Sequence, residues 1–122
     1  MDQSARLTDY LEAGLRASNL RQSVIANNIA NMATPGFRRH AAPFEQAFAE
    51  ALAKGKPVRM DGLLRNIHRP MTNPVNEHGN DVQLETEVAD LVRNGLLYKT
   101  YARLLGRLYE QMEQAMVVGG QG

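Results

Sequence analysis

The chain has no cysteine. That removes a disulfide framework, a thiolate metal site and a thiol nucleophile, and it leaves oxidising and reducing compartments equally acceptable. It has almost no excess of either charge: 14 basic and 13 acidic residues leave a net +1. So small a surplus provides no general attraction to nucleic acid or to an anionic membrane. No stretch approaches the roughly 20 apolar residues of a bilayer span. The first residues, with Asp2, Asp9 and Glu12 among them, lack a basic region followed by an apolar core, so a cleavable secretory signal is not expected.

Catalytic constellations are missing as well. His40, His68 and His78 never fall at the three- or four-residue helical spacing of a metal pair, and the carboxylate beside His78, Glu77, sits in a loop. The only serines, Ser4, Ser18 and Ser23, lie in one helical segment and none in a nucleophile elbow. Lys54-Gly55-Lys56-Pro57 has neither the glycine spacing nor the hydroxyl of a phosphate loop. The expectation is therefore a protein without catalytic residues, metal, cofactor or small-molecule substrate.

What is present is apolar surface, 43% of the residues, crowded into the two ends of the chain and sparse in the middle. The chain is organised around Arg21 to Phe37. Ile25, Ile29 and Met32 share one side of a helix with Leu7, Leu11 and Leu15, an amphipathic segment of roughly seven turns. Gln22 and Asn28 fall within or beside that stripe, whereas Asn27 and Asn31 fall on other sides. Three asparagines in five residues cost a helix on the order of 1 kcal/mol against alanine, because the amide competes for nearby backbone groups. Two readings offset that cost. Either the helix simply ends here, or the amides hydrogen-bond neighbouring chains in an assembly. The helix is expected to start between Ser4 and Thr8, run to about Met32 and stop at Ala33 to Gly36, where Pro35 and Gly36 break it.

A second, short helix is expected over Pro43 to Lys54, with Phe44, Ala47, Phe48 and Leu52 on one side. From Lys54 to Asn80 the chain is broken every few residues by Pro57, Gly62, Pro70, Pro74 and Gly79. That segment reads as an irregular loop, with Val58 to Met60 and Leu63 to Ile67 as brief extended pieces and room for one short hairpin. The last helix is the strongest signal. Leu84, Val88, Leu91, Gly95, Tyr98, Ala102, Leu105, Tyr109, Met112 and Met116 follow at steps of four and three, a heptad seam about four repeats long. Glu85 to Val117 would span roughly 50 Å. A second row, Leu97, Tyr101, Leu104 and Leu108, widens the apolar surface beyond what one partner helix can cover, so burial against other subunits is expected in addition to pairing with the first helix. Lys99, Arg103 and Arg107 form a basic row on its back, which an acidic neighbour such as the Asp9 and Glu12 face of another first helix would relieve.

The string Asn28-Ile29-Ala30-Asn31, preceded by Asn27 and followed by Thr34-Pro35-Gly36-Phe37, resembles the N-terminal signature of bacterial flagellar rod and hook proteins. Within that axial family the chain is similar to short proteins of the cell-proximal rod, through Arg21 to Asn27 before the signature and Asn80 to Val88 introducing the last helix. The resemblance covers the two ends, about residues 1–40 and 80–122. It implies a structural subunit of the flagellar basal body whose terminal helices pair and stack with copies of itself and other rod proteins into a tubular drive shaft that transmits motor torque. It also implies contact with an adaptor protein at the base of the rod, and passage without cleavage through the flagellar type III export gate into the periplasmic rod. Phe44-Glu-Gln-Ala-Phe48 is similar to the Phe-x-x-x-hydrophobic element by which early export substrates are recognised at that gate, although the same pair would form the core-facing edge of the short helix.

The expected fold is mainly α: two long terminal helices pairing as an antiparallel, coiled-coil-like hairpin, with a short helix and an irregular region between them. The expected organisation is an axial helix and signature turn over residues 1–36, a variable middle over 37–80, and an axial heptad helix over 81–122. The assembly signature would be Asn27 to Asn31 and Thr34 to Phe37, and the seam Leu84, Val88, Leu91, Tyr98, Ala102, Leu105, Tyr109 and Met112. Two other classes share parts of the pattern. A generic helical-hairpin adaptor shares the seam but not the signature. A small helix-turn-helix regulator would use Val24 to Arg39, but Pro35-Gly36 falls where its recognition helix should begin.

Overall fold

The computed structural model describes residues 3–121, with side chains from 7 to 120. Four helices follow one another: α1 (Gln3–Ala30), α2 (Glu45–Lys54), α3 (Met60–Arg65) and α4 (Leu84–Gln121). The expected all-helical architecture is realised, with α1 and α4 packed against each other as its main framework. At a rise of 1.5 Å per residue they are about 42 and 57 Å long. They run antiparallel, since Glu12 meets Tyr109, Ser18 meets Asn94 and Asn28 meets Glu87.

Small residues set the closeness of that contact. Ala13, Ala17 and Ser18 are buried on α1, and a β-carbon at Gly14 would lie 2.6 Å from Cδ1 of the Tyr101 ring. The apolar core lies to one side of the helix pair, where Ala13 and Ala17 meet Phe44, Phe48 and Leu63 from the middle segment, with Leu20, Val58, Leu97 and Tyr101 packed around them. The Tyr10 hydroxyl lies within hydrogen-bond distance of the carbonyl oxygens of Lys56 (2.6 Å) and Ala51 (3.2 Å), and ties the end of α2 to α1. Gly55, at φ 64°, supplies the left-handed residue that stops α2.

Three local expectations need correction. α1 ends at Ala30, two residues early, and turns carry the chain to Gly36. Leu63 to Ile67 is not extended: Met60–Arg65 forms a short helix because Leu63 inserts into the core, and Gly62 is tolerated inside it. No local hairpin forms in the middle; instead Ala41 pairs with His68 in a single antiparallel bridge, through N–O distances of 2.8 and 3.1 Å. That bridge joins the strap leaving the signature turn to the far side of the middle segment. The helix-turn-helix alternative fails on the same geometry, since Phe37 to Phe44 is non-helical and no recognition helix follows Gly36.

The face that α4 turns to α1 also differs from the expected seam. Glu87, Asn94 and Leu105 are buried, and Leu91, Leu97, Tyr101 and Leu108 half-buried. Leu84, Val88, Tyr98, Ala102, Tyr109 and Met112 remain exposed. At 100° per residue the heptad seam is rotated by roughly 60° from the packed face; Leu91 and Leu105 serve both, and Tyr109 reaches α1 through its hydroxyl. The rotation has a chemical reason: α1 presents small and polar side chains here, which Glu87, Asn94 and a tyrosine ring complement better than an aliphatic row.

Candidate functional site

The signature turn is built on a buried polar hub. Asn28, which is 0% exposed, is held by a reciprocal pair of bonds to one backbone residue: its Oδ1 accepts from the His40 N–H (2.9 Å) and its Nδ2 donates to the His40 carbonyl (2.8 Å). The same Nδ2 lies 3.2 Å from Glu87 on α4. Glu87, also 0% exposed, receives Arg39 Nε on its other oxygen at 2.5 Å. One asparagine thereby joins α1, the strap after the turn and α4.

A second carboxylate closes the hub from below α4. Asp81 accepts from the Arg39 N–H (2.6 Å) and from Arg38 Nε (3.0 Å). Burial pushes its carboxyl upward, but the backbone N–H of Arg39 and the guanidinium of Arg38 outweigh that and hold it below the ordinary aspartate value. Asn80, 2% exposed, donates through Nδ2 to the carbonyls of Asn31 and Thr34 at 2.9 Å each, while its Oδ1 accepts from the Val82 N–H (2.8 Å). The Gly36 N–H donates to the His78 carbonyl at 2.8 Å, and Gly36 itself sits at φ 75°. Loop 76–82 is thus the template against which Asn31 to Gly36 is folded.

This overturns the expectation that Asn28 and Asn31 reserve their amides for neighbouring chains. Asn28 is saturated within the chain. The Asn31 Nδ2 donates to the Asn27 carbonyl (2.8 Å) and lies 3.2 Å from its Oδ1, while the Asn31 Oδ1 receives the Thr34 hydroxyl. The local cost of asparagine in a helix is offset by long-range partners, and the reading of a helix end describes Asn31. Ile29 is half-buried, Ala30, Thr34 and Pro35 are exposed, and Phe37 tilts against His40 with ring centroids 5.9 Å apart.

A second polar contact lies further along the helix pair. Asn94 donates to the Ser18 carbonyl (2.6 Å) and to Gln22 Oε1 (2.9 Å), which accounts for Gln22 in the apolar stripe. Beyond it, Tyr109 donates to Glu12 at 2.5 Å, and that bond raises the tyrosine above its usual range. Glu12 also lies 4.0 Å from Arg16, so it is engaged within the chain, whereas Lys99, Arg103 and Arg107 are exposed.

Phe44 and Phe48 are core residues, 3% and 8% exposed, with ring centroids 5.2 Å apart. Arg21 stacks 4.0 Å over the Phe44 ring and pairs with Glu45 at 2.5 Å. Burial raises the Glu45 carboxyl, and the Arg21 bond together with nearby backbone N–H groups brings it below its usual value. In the folded chain this pair is not a surface element.

Arg38, Arg39, Asp81, Glu87 and Asn94 were not evident as site residues. Glu87 and Asn94 do carry a signal, a seven-residue step that continues to Tyr101 and Leu108 on the same face. Their partners lie 48 and 76 residues away, where periodicity has no reach.

Part of the hub, Asn28 and Arg38, falls on a segment that a family model matches. The family model described as "Flagella basal body rod protein" matches residues 11–38. The flagellar basal body rod protein FlgB of Borreliella burgdorferi is 32% identical over 117 residues, covering 80% of this chain and 86% of that one. FlgB of Aeromonas hydrophila is 32% identical over 97 residues, covering 70% and 74%, and FlgB of Bacillus subtilis is 21% identical over 120 residues, covering 89% and 92%. At 32% identity over 80% of this chain, the Borreliella relative shows that the chain belongs to the FlgB family of flagellar basal body rod proteins, structural components that assemble with other flagellar parts in the basal body.

Proposed function

We propose that the chain forms the cell-proximal segment of the rod, as one wall element of a tube that carries motor torque across the periplasm. Its neighbours would be copies of itself and the next rod proteins outward, with an adaptor protein beneath. It would act as a structural part and not as a catalyst, without nucleic acid, cofactor or small-molecule substrate. The supporting observation is the division of labour on α4. One face is locked to α1 by charge-assisted and amide hydrogen bonds, while the heptad seam beside it leaves Leu84, Val88, Tyr98, Tyr109 and Met112 exposed. Apolar side chains in a row on an already packed helix are surface for neighbours.

The test is complementation of a strain that lacks its own rod subunit, with basal bodies isolated and imaged. The unaltered chain should restore rods. Val88→Lys combined with Met112→Lys, both at exposed positions and so neutral to folding, should leave secreted but unpolymerised protein. Normal rods from that double variant would refute the seam as the assembly surface.

Export would proceed through the flagellar type III gate without cleavage of a signal. Because Phe44 and Phe48 are buried, recognition of this pair would require the unfolded chain. Phe44→Ala should then reduce secretion more than Leu63→Ala, which removes a neighbouring side chain from the same core. Equal loss in the two would assign the effect to stability and dismiss the recognition element.

A further inference from the structure

The back of α4 carries a pattern that the helix pair does not use and that shares only Val88 and the flanking Gly95 with the heptad seam. At 100° per residue, Glu85, Val88, Val92, Leu96, Lys99 and Arg103 fall within about 80° of one another, on the side opposite Glu87, Asn94 and Tyr101. Val92 and Leu96 are among the most exposed aliphatic side chains of the helix, at 58% and 60%. Glu85 and Lys99 are exposed too, and among the described residues neither has an ion-pair partner.

The pattern is symmetric about Val92. Val88 and Leu96 stand four residues to either side of it, and Glu85 and Lys99 seven residues to either side. The small residues Ala89 and Gly95 flank it at three, and a β-carbon at Gly95 would have nothing within 4 Å. An acidic end, an aliphatic centre with small flanks, and a basic end make a surface complementary to itself only when the second copy runs the opposite way.

We propose that two copies of this chain pair through this stripe, antiparallel, about a two-fold axis at Val92. Val88 then packs on Leu96 of the other copy, and Glu85 meets the other copy's Lys99 twice over. Such an isologous contact is closed and does not propagate. A chain held in it has its α4 stripe occupied and is withheld from polymer growth through that face. The two α1 helices lie on the outer sides of the pair and do not obstruct it. This inference does not rest on the cell-proximal placement proposed above, because it follows from the surface of the free chain.

Sedimentation equilibrium of the full chain across a wide concentration range tests it, with circular dichroism as a check that each variant stays helical. The expected result is a monomer–dimer equilibrium. Val92→Lys should abolish it. Glu85→Lys and Lys99→Glu should each weaken it about tenfold, since either turns two attractive contacts repulsive, and the combined exchange should restore it. Because the chain has no cysteine, Val92→Cys should cross-link to a dimer on mild oxidation, as expected of a residue on the axis. A monomer at every concentration, a dimer indifferent to Val92→Lys, or a double exchange no better than the single changes would each overturn the proposal.

Discussion

Removal of the Glu87 carboxylate gives the most direct measure of what the hub contributes. In Glu87→Ala, Arg39 loses its 2.5 Å partner while its side chain is only 16% exposed, so water replaces the carboxylate incompletely. Breaking one partner out of a buried ion pair costs about 3–5 kcal/mol. The lower end applies, because Arg39 has some access to solvent and Asn28 keeps its two bonds to His40. A loss of about 3 kcal/mol is a large share of the 5–15 kcal/mol that ordinarily holds a domain together. With a urea slope of about 1.5 kcal/mol per M for a chain of this size, the midpoint followed by circular dichroism should fall by about 2 M. Replacing both members, Glu87→Leu with Arg39→Leu, removes the stranded charge and should recover much of the loss. A midpoint shift below about 0.5 M in Glu87→Ala, or a double variant no more stable than the single one, would refute the account of the hub as a desolvated, mutually dependent pair.

Further outcomes follow from the same geometry. Asp81 has a folded pKa below its ordinary value of 3.8, so the stability it contributes is complete above that value and is lost as pH falls through the lower, folded one. Acid titration of unfolding should show this loss, and Asp81→Asn should be less stable at neutral pH and flatter in that acidic window. Gly14→Ala places a methyl against the Tyr101 ring and should cost about 1–3 kcal/mol in urea unfolding, partly relieved by Tyr101→Leu. Gly36→Ala meets no atom within 4 Å but sits at φ 75°, so its cost should be conformational alone, about 1–2 kcal/mol, with no change in the urea slope.

Much of the framework was legible because it is written in local terms. The break at Thr34-Pro35-Gly36 and the long run from Leu84 follow from proline geometry and a seven-residue repeat, and neither needs a distant partner. The position of α1 around α4 was not legible. Leucine and methionine steps mark where apolar residues lie, but not which of two adjacent faces is taken by the same chain. The choice fell to Glu87 and Asn94, whose partners Arg39 and Ser18 are fixed only once the chain is folded. The α3 helix escaped for a related reason: Met60 to Arg65 contains Gly62, and its helical state is stabilised by Leu63 entering a core contributed by α1 and α2. The asparagines were a real signal with the wrong recipient, since the cost they impose on the helix is offset within the chain.

The polar character of the α1–α4 contact is what leaves most of the α4 seam on the surface. A helix pair closed by two aliphatic rows would consume the seam of α4 and expose little that a neighbour could bury. Here Asn28, Glu87, Ser18 and Asn94 take the inner positions, each partner fixed in direction and distance by hydrogen bonds, while small residues allow the helices to approach closely. Hydrogen bonds of this kind add modestly to net stability, but they are costly to leave unmade, so they define one register and one rotation of the helix pair. Leu84, Val88, Tyr98 and Met112 are thereby set outward, while Tyr109 stays partly exposed with its hydroxyl on Glu12 of α1. Under the proposed assembly, circular dichroism of the dilute chain separates docking of a preformed surface, which requires full helicity, from folding on contact, which leaves the helices partly formed.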